Sequence, residues 1–421
     1  MRRAQWSILT YIAAHNNLQT FGDRSLGQIW RTGSSDQVKL TVLLDTAAGA
    51  RRYASTGPGE GEVADLSDFD SGDGKKLAQV AKWAFEKHPA ERYGLVLWSH
   101  GTGWMPDEIA AVARSARGDA AVDLDEARER SGASASTALF RSTLEAILSQ
   151  DTPQERAICF DDGSQHALDT LELERVAGRI QGFIGQPLDL LGMDACLMAS
   201  LEVAYQLRHS VRAMVASEEL VPVKSWPYDT ILGALRSHPD MSARDLAAQV
   251  VADYGDYYDA HPPEFNRGDV TKVALDLSRI GEAANAAGAL GDALLADIGP
   301  QRQALWAAQA RAMKKETQND KRQPSKFSLH LWDAGTLARE LGRASQDAAV
   351  RAAAGALQAA LAPGGAVIAE RHRGSWFDGL AGVSLYAVPP NISRISPFYP
   401  TMAFAQDTRW GSLLSAYHQD V

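Results

Sequence analysis

Short, nearly unbroken apolar runs punctuate the first half of the chain, at residues 7–13, 40–44, 95–98, 188–191 and 213–216. Runs of this length without polar alternation predict strands buried on both faces, because a strand with one wet face would alternate. Between them the period changes. Residues 75–88 place Leu77, Val80, Ala81 and Ala84 on one stripe and stop at Pro89, while residues 197–207 present Leu201, Ala204 and Tyr205 in the same way, as amphipathic helices do. Strands alternating with helices need crossover connections and so predict an α/β fold with a mostly parallel sheet. From about His238 the chain becomes helix-heavy, with periodic Ala- and Leu-rich faces over 241–258, 277–298 and 301–315 and two more strand candidates at 270–275 and 383–386. The division that follows is a core over residues 1–237 and a helix-rich region over 238–421 that packs on the core and completes it.

One stretch follows neither period. Residues 107–156 are rich in Ala, Ser, Arg and acidic side chains, with Arg114, Arg117, Arg128 and Arg130 spaced along them. Length and polarity predict an exposed insertion with some helix, and long loops in a compact domain are usually functional or disordered. A shorter exposed connector is predicted at 319–326.

Composition narrows the classes of function. The 421 residues carry a formal charge of −10, which argues against a general nucleic-acid binder, since such binding needs a basic face. Two cysteines in so long a chain, Cys159 and Cys196, point to a reducing compartment rather than a disulfide framework. Cys159 lies in the apolar run Ala157-Ile158-Cys159-Phe160 and reads as core. Met1-Arg2-Arg3 runs straight into the first strand, a pattern too short for an export signal or a membrane span. The expectation is a cytoplasmic protein that engages no membrane.

The candidate chemistry sits at two strand ends. Leu190-Leu191-Gly192-Met193-Asp194-Ala195-Cys196-Leu197-Met198 ends a strand on a small-residue turn, and Leu95-Val96-Leu97-Trp98-Ser99-His100-Gly101-Thr102-Gly103-Trp104 delivers a histidine into a glycine-flanked loop. Strand ends of a parallel sheet open on one crevice, so a thiol and an imidazole can meet there as nucleophile and proton shuttle. The plain alternative is a buried cysteine and a hydrogen-bonded structural histidine.

These segments resemble the clostripain family of cysteine peptidases, relatives of caspases, gingipains and legumain. Trp6 to Leu18 resembles the family's opening strand and turn, although His15 stands where an acidic residue is expected. Ser217-Glu218-Glu219 with Trp226-Pro227-Tyr228, Gly382-Val383-Ser384-Leu385-Tyr386 and Phe404 to Trp410 are similar to its later segments. The resemblance implies a caspase-like α/β/α sandwich. It also implies a Cys–His dyad in which Cys196 attacks the scissile carbonyl to form a thioester, His100 protonates the leaving amine, and the N–H groups of Gly101 and Cys196 hold the oxyanion. Asp194 matches the position of the family's acidic specificity residue and so implies cleavage after Arg or Lys, although a helix-capping role is the rival for it. Glu218 or Glu219 would add negative potential and Trp226 would wall a subsite or lie in the core. Calcium occurs in the family; Asp65, Asp68, Asp70 and Asp73 offer oxygens but no ligand spacing, and the sequence itself requires no cofactor. Zinc is not expected.

The reading that follows is an intracellular cysteine endopeptidase acting on a protein with a basic residue at the cut. Its activity would be regulated by cleavage in the 107–156 insertion or by an activating partner, and it would release a toxic or signalling protein by limited proteolysis. Two alternatives stay open: a catalytically silent caspase-like scaffold, and a Cys–His hydrolase acting on a non-peptide acyl group.

Overall fold

The computed structural model describes residues 3–101, 103–104, 158–164, 166–263, 269–317, 330–375, 378–388, 390 and 395–419. The insertion at 107–156, with Arg114, Arg117, Arg128 and Arg130, and the connector at 319–326 lie outside the described residues.

Thirteen strands are described: β1 (Ala4–Ala13), β2 (Val38–Thr46), β3 (Gly49–Gly57), β4 (Glu60–Leu66), β5 (Ala90–Trp98), β6 (Ile158–Asp161), β7 (His166–Leu168), β8 (Leu188–Asp194), β9 (Val211–Ala216), β10 (Val270–Asp276), β11 (Leu331–Asp333), β12 (Val367–Arg373) and β13 (Ser384–Tyr386). Nine form one sheet in the order β12-β10-β9-β8-β5-β1-β2-β3-β4. Its middle, from β9 to β2, is parallel, and antiparallel pairs close both sides.

The apolar runs are these central strands. β1, β5 and β8 are buried almost throughout, as an inner parallel strand covered on both faces must be. The chain crosses from β1 to β2 in one direction and returns past β1 to β5 in the other. Right-handed crossovers therefore put the helices Gln19–Thr32 and Gly74–Lys87 on opposite faces. Helices Gln19–Thr32, Tyr228–Ser237 and Ala243–Ala260 pack in sequence as one layer, and Gly74–Lys87, Thr170–Ile184 and Leu201–Leu207 as the other. The result is an α/β/α sandwich, and β10 and β12 from the second half extend the same sheet.

Two features depart from the sequence pattern. The helix read from residue 197 begins only at Leu201, where Ser200 Oγ accepts the Val203 N–H at 3.2 Å. Residues 197–199 instead run as a loop, with Leu197 at a φ of 61° and the Leu197 and Ala199 N–H groups bonded to the segment after β9. The hairpin β3–β4 escaped the apolar pattern because β4 is half-exposed to exposed along its length; its turn is Pro58-Gly59.

Leu191 lies at the centre of β8 with no exposed surface. Leu191→Ala should cost about 2–5 kcal/mol, read as a lower urea midpoint with an unchanged slope.

Candidate active site

β5 and β8 are parallel neighbours whose last paired residues are Trp98 and Asp194. From that common rung, Ser99-His100 and Ala195-Cys196 leave the sheet side by side, which is the reason two motifs far apart in sequence share one edge. The loops are packed tightly at Gly101. A Cβ on that residue would fall 2.5 Å from the Cys196 carbonyl oxygen and 3.0 Å from the Cys196 nitrogen, so only glycine lets the two backbones approach. Both His100 and Cys196 have no exposed surface.

Each side chain is held by named neighbours. Ser99 Oγ donates to the Ala13 carbonyl at 3.1 Å and accepts the Phe160 N–H at 3.2 Å, tying the histidine loop to β1 and β6. His100 Nε2 meets Asn17 Oδ1 at 2.9 Å. An amide oxygen only accepts, so Nε2 carries the proton and Nδ1 is left as the basic nitrogen. Asn17 is thus the orienting residue that the sequence reading did not identify, although it stands in the Trp6 to Leu18 segment, two residues after His15.

Cys196 Sγ accepts the Val221 N–H at 3.1 Å, a contact that favours the thiolate. Leu197 N–H donates to the Glu219 carbonyl at 3.3 Å and Ala199 N–H to the Ser217 carbonyl at 2.9 Å, so the whole nucleophile loop is strapped to the segment after β9. Cys159 is fully buried, and burial pushes its thiol well up; it is a core residue, and neither cysteine is in a disulfide.

Asp194 lies fully buried behind the nucleophile. Its Oδ2 accepts from Ser225 Oγ, from the Trp226 N–H at 3.1 Å and from Tyr228 Oη at 2.9 Å, while Oδ1 has no hydrogen-bond partner. Burial raises its pKa, and the nearby Lys272 ammonium is the first of the groups that oppose the shift. Lys272 is itself fully buried, its pKa lowered by burial to about 8 and held up by Asp194 and Cys196. A single lysine inside the apolar run 270–275 was the available sign of it. Trp226 is buried, its ring filling the space over Gly192, where a Cβ would lie 2.7 Å from it.

Glu218 and Glu219 separate as adjacent strand-end residues do. Glu218 is buried with both carboxyl oxygens unpartnered, and burial, then Asp333, Glu219 and Glu370, push its pKa well up. Glu219 is half-buried and lends its carbonyl to Leu197.

The acidic run disperses. Asp65 pairs with Arg51, Asp70 with Ser164 and His166, and Asp73 caps the helix Gly74–Lys87. Among the described residues, the group close enough to hold a metal is His15, Asp45 and Asp161. Asp161 Oδ1 already accepts the N–H groups of Gly163 and Ser164 and faces His15 at 3.0 Å, and Oδ2 accepts the Ser71 N–H. One imidazole and two carboxylates, one of them already engaged by backbone N–H groups, fall short of the roughly six to eight oxygens that calcium takes, and no catalytic step is assigned to a metal.

A sandwich that delivers a thiol and an imidazole from adjacent parallel strand ends has the architecture of the caspase-like cysteine peptidases. The sequence profile of the clostripain family matches residues 10–126 and 124–330, and the chain belongs to that family of cysteine peptidases. A secreted C11 cysteine protease from Bacteroides thetaiotaomicron, solved with an irreversible peptide inhibitor, superimposes with a TM-score of 0.62 at 18% identity, covering 98% of this chain and 99% of that one. An inactive zymogen C11 protease from Parabacteroides distasonis gives 0.59 at 15% identity, covering 97% and 99%. No curated protein matches the chain by sequence.

Two outcomes check the geometry. Asn17→Ala should lower kcat/KM by about 10²-fold, the low end of a general acid–base contribution, and should displace the acidic limb of the pH–rate profile, while Asn17→Gln recovers part of the loss. For Glu218, a raised folded-state pKa contributes stability at low pH that is lost as pH rises through that value. Glu218→Gln should therefore gain Tm relative to wild type as pH rises above the ordinary carboxylate range, by differential scanning calorimetry.

Proposed function

We propose that the chain is an endopeptidase that cuts protein substrates through Cys196 and His100. The carrying observation is the rung Trp98–Asp194, which sends both loops to one sheet edge. In this reading His100 Nδ1 takes the thiol proton and the Cys196 thiolate attacks the scissile carbonyl carbon. As the tetrahedral intermediate collapses, the C–N bond breaks and the proton passes to the leaving amine. Water then attacks the thioester, giving up its proton to the same nitrogen, and the acid product leaves with the thiol restored. The Gly101 and Cys196 N–H groups are the oxyanion donors. Their support is the close packing of Gly101 on the Cys196 peptide, and one such donor contributes about 3 kcal/mol to the barrier.

The basic residue that the resemblance implies at the cut has its support in the open Oδ1 of Asp194. Lys272 already supplies the positive charge that such a side chain would bring, and this resident cation argues for a different substrate. Control of activity is supported by the complete burial of Cys196 and His100, which requires a rearrangement before substrate enters; cleavage within 107–156 or an activating partner would provide it. Two free thiols and no disulfide support work in a reducing compartment such as the cytoplasm.

Cys196→Ala should abolish cleavage of a denatured protein substrate, and His100→Ala should reduce it by about 10³-fold or more, the scale of losing a member of a nucleophile–base pair. Equal turnover by wild type and Cys196→Ala ends the proposal. Intact-mass spectra of the same two proteins test control by processing: fragments ending after Arg114, Arg117, Arg128 or Arg130 only in wild type would show self-cleavage, and an unbroken mass in both would point to a partner.

A further inference from the structure

We propose that Lys272 and Asp194 together form a dipolar floor to the specificity pocket, selecting an uncharged carboxamide side chain, Gln or Asn, on the acyl side of the cut in place of Arg or Lys. The inference rests on the peptidase reading and concerns only what that site accepts.

The sheet sets the two charges on one face. Gly192 pairs with Val215 and Val273 with Ala216. Continuing these registers puts Asp194, Ser217 and Lys272 in one row across β8, β9 and β10, and row neighbours point to the same side of a sheet. That side is capped by aromatic rings. Lys272 Nζ stands 4.1 Å from the centre of the Tyr254 ring and 5.2 Å from that of Trp226, and the same Trp226 donates its backbone N–H to Asp194.

What distinguishes this place from an ordinary internal ion pair is its unspent polarity. Asp194 Oδ1, Lys272 Nζ, Trp226 Nε1 and Tyr254 Oη are all buried, and none has a hydrogen-bond partner in the protein. The two charges do not form a salt bridge with each other, although each shifts the other's ionisation. Buried polar groups are ordinarily satisfied, and several left open beside the nucleophile mark a lining that a substrate group completes.

The chemistry of that group follows from the donor and acceptor it must meet. A carboxamide offers a carbonyl oxygen to the Lys272 ammonium and an NH₂ to the Asp194 carboxylate. A guanidinium or ammonium would satisfy Asp194 but be set against the Lys272 charge, and a carboxylate would be set against Asp194. A site built to hydrogen-bond one polar group discriminates strongly against those that leave its buried partners unpaired or opposed.

The test is a matched set of fluorogenic peptides differing only in the residue before the cut, Gln, Asn, Arg, Lys, Asp or Ala, with wild type, Cys196→Ala and Lys272→Met. Wild type should show kcat/KM at least 10-fold higher for Gln or Asn than for Arg or Lys. Lys272→Met, verified as folded by circular dichroism, should lose the carboxamide preference and gain at least 10-fold on Arg or Lys. If Lys272→Met does not fold, the wild-type ranking alone decides. A wild-type preference for Arg, Lys, Asp or Ala overturns the inference while leaving the peptidase reading intact, as does a Lys272→Met ranking identical to that of wild type. Cleavage of none of the six, or cleavage that Cys196→Ala retains, overturns the peptidase reading and this inference with it.

Discussion

The register between β5 and β8 is the constraint on which the site depends. Trp98 and Asp194 face each other on adjacent parallel strands, and the two loops that follow have no other means of meeting, since each belongs to a different crossover unit. Parallel pairing gives the strands a common direction, so their ends emerge at one edge, and the buried faces fix the register because a one-residue slip would turn the apolar set outward. Gly101 then removes the last steric obstacle, letting the histidine loop rest on the Cys196 peptide. Fold stability and catalytic geometry are here consequences of the same strand pairing.

That dependence explains the density of polar groups just behind the strand ends. Asp194 is simultaneously the last residue of β8 and the acceptor of three donors from the segment 225–228. Replacing it by an apolar residue would strand those donors, so its first role is to fix that segment against the sheet. The oxygen left over faces inward, beside Lys272. A carboxylate and an ammonium buried this completely are costly to desolvate; each is held to its charged form largely by the other and, for Asp194, by its hydrogen bonds. The aromatic rings of Trp226 and Tyr254 add the attraction of their faces for the cation.

Much of the architecture was legible because buried parallel strands are continuous apolar runs. The same rule hid what departed from it. β4 and β12 are partly exposed and polar along most of their length, so they carry no such run; β4 is held by its hairpin partner β3, and β12 by β10, a strand distant in sequence. The thiol and imidazole were visible as residue types at strand ends, and Asp194 was visible through a motif. Asn17 was not separable from any other turn asparagine, because its contact with His100 spans 83 positions. Lys272 was visible as one charge in a strand, but its meaning depends on the row it shares with Asp194, which only the order β8-β9-β10 supplies.

In the proposed dyad, the group that faces His100 Nε2 among the described residues is the Asn17 amide. A carboxylate on Nε2 would stabilise the imidazolium and hold the proton on the ring, where the leaving amine needs it delivered. A neutral amide fixes the same tautomer and ring plane without that electrostatic hold. The thiolate, for its part, draws on the Val221 N–H and on the Lys272 ammonium, whose ionisation responds to Cys196. Charge stabilisation is thus placed on the nucleophile's side of the pair and orientation on the base's side. A thiol needs little help to ionise compared with a hydroxyl, so this division gives the nucleophile the modest assistance it needs while leaving the histidine free to give its proton away.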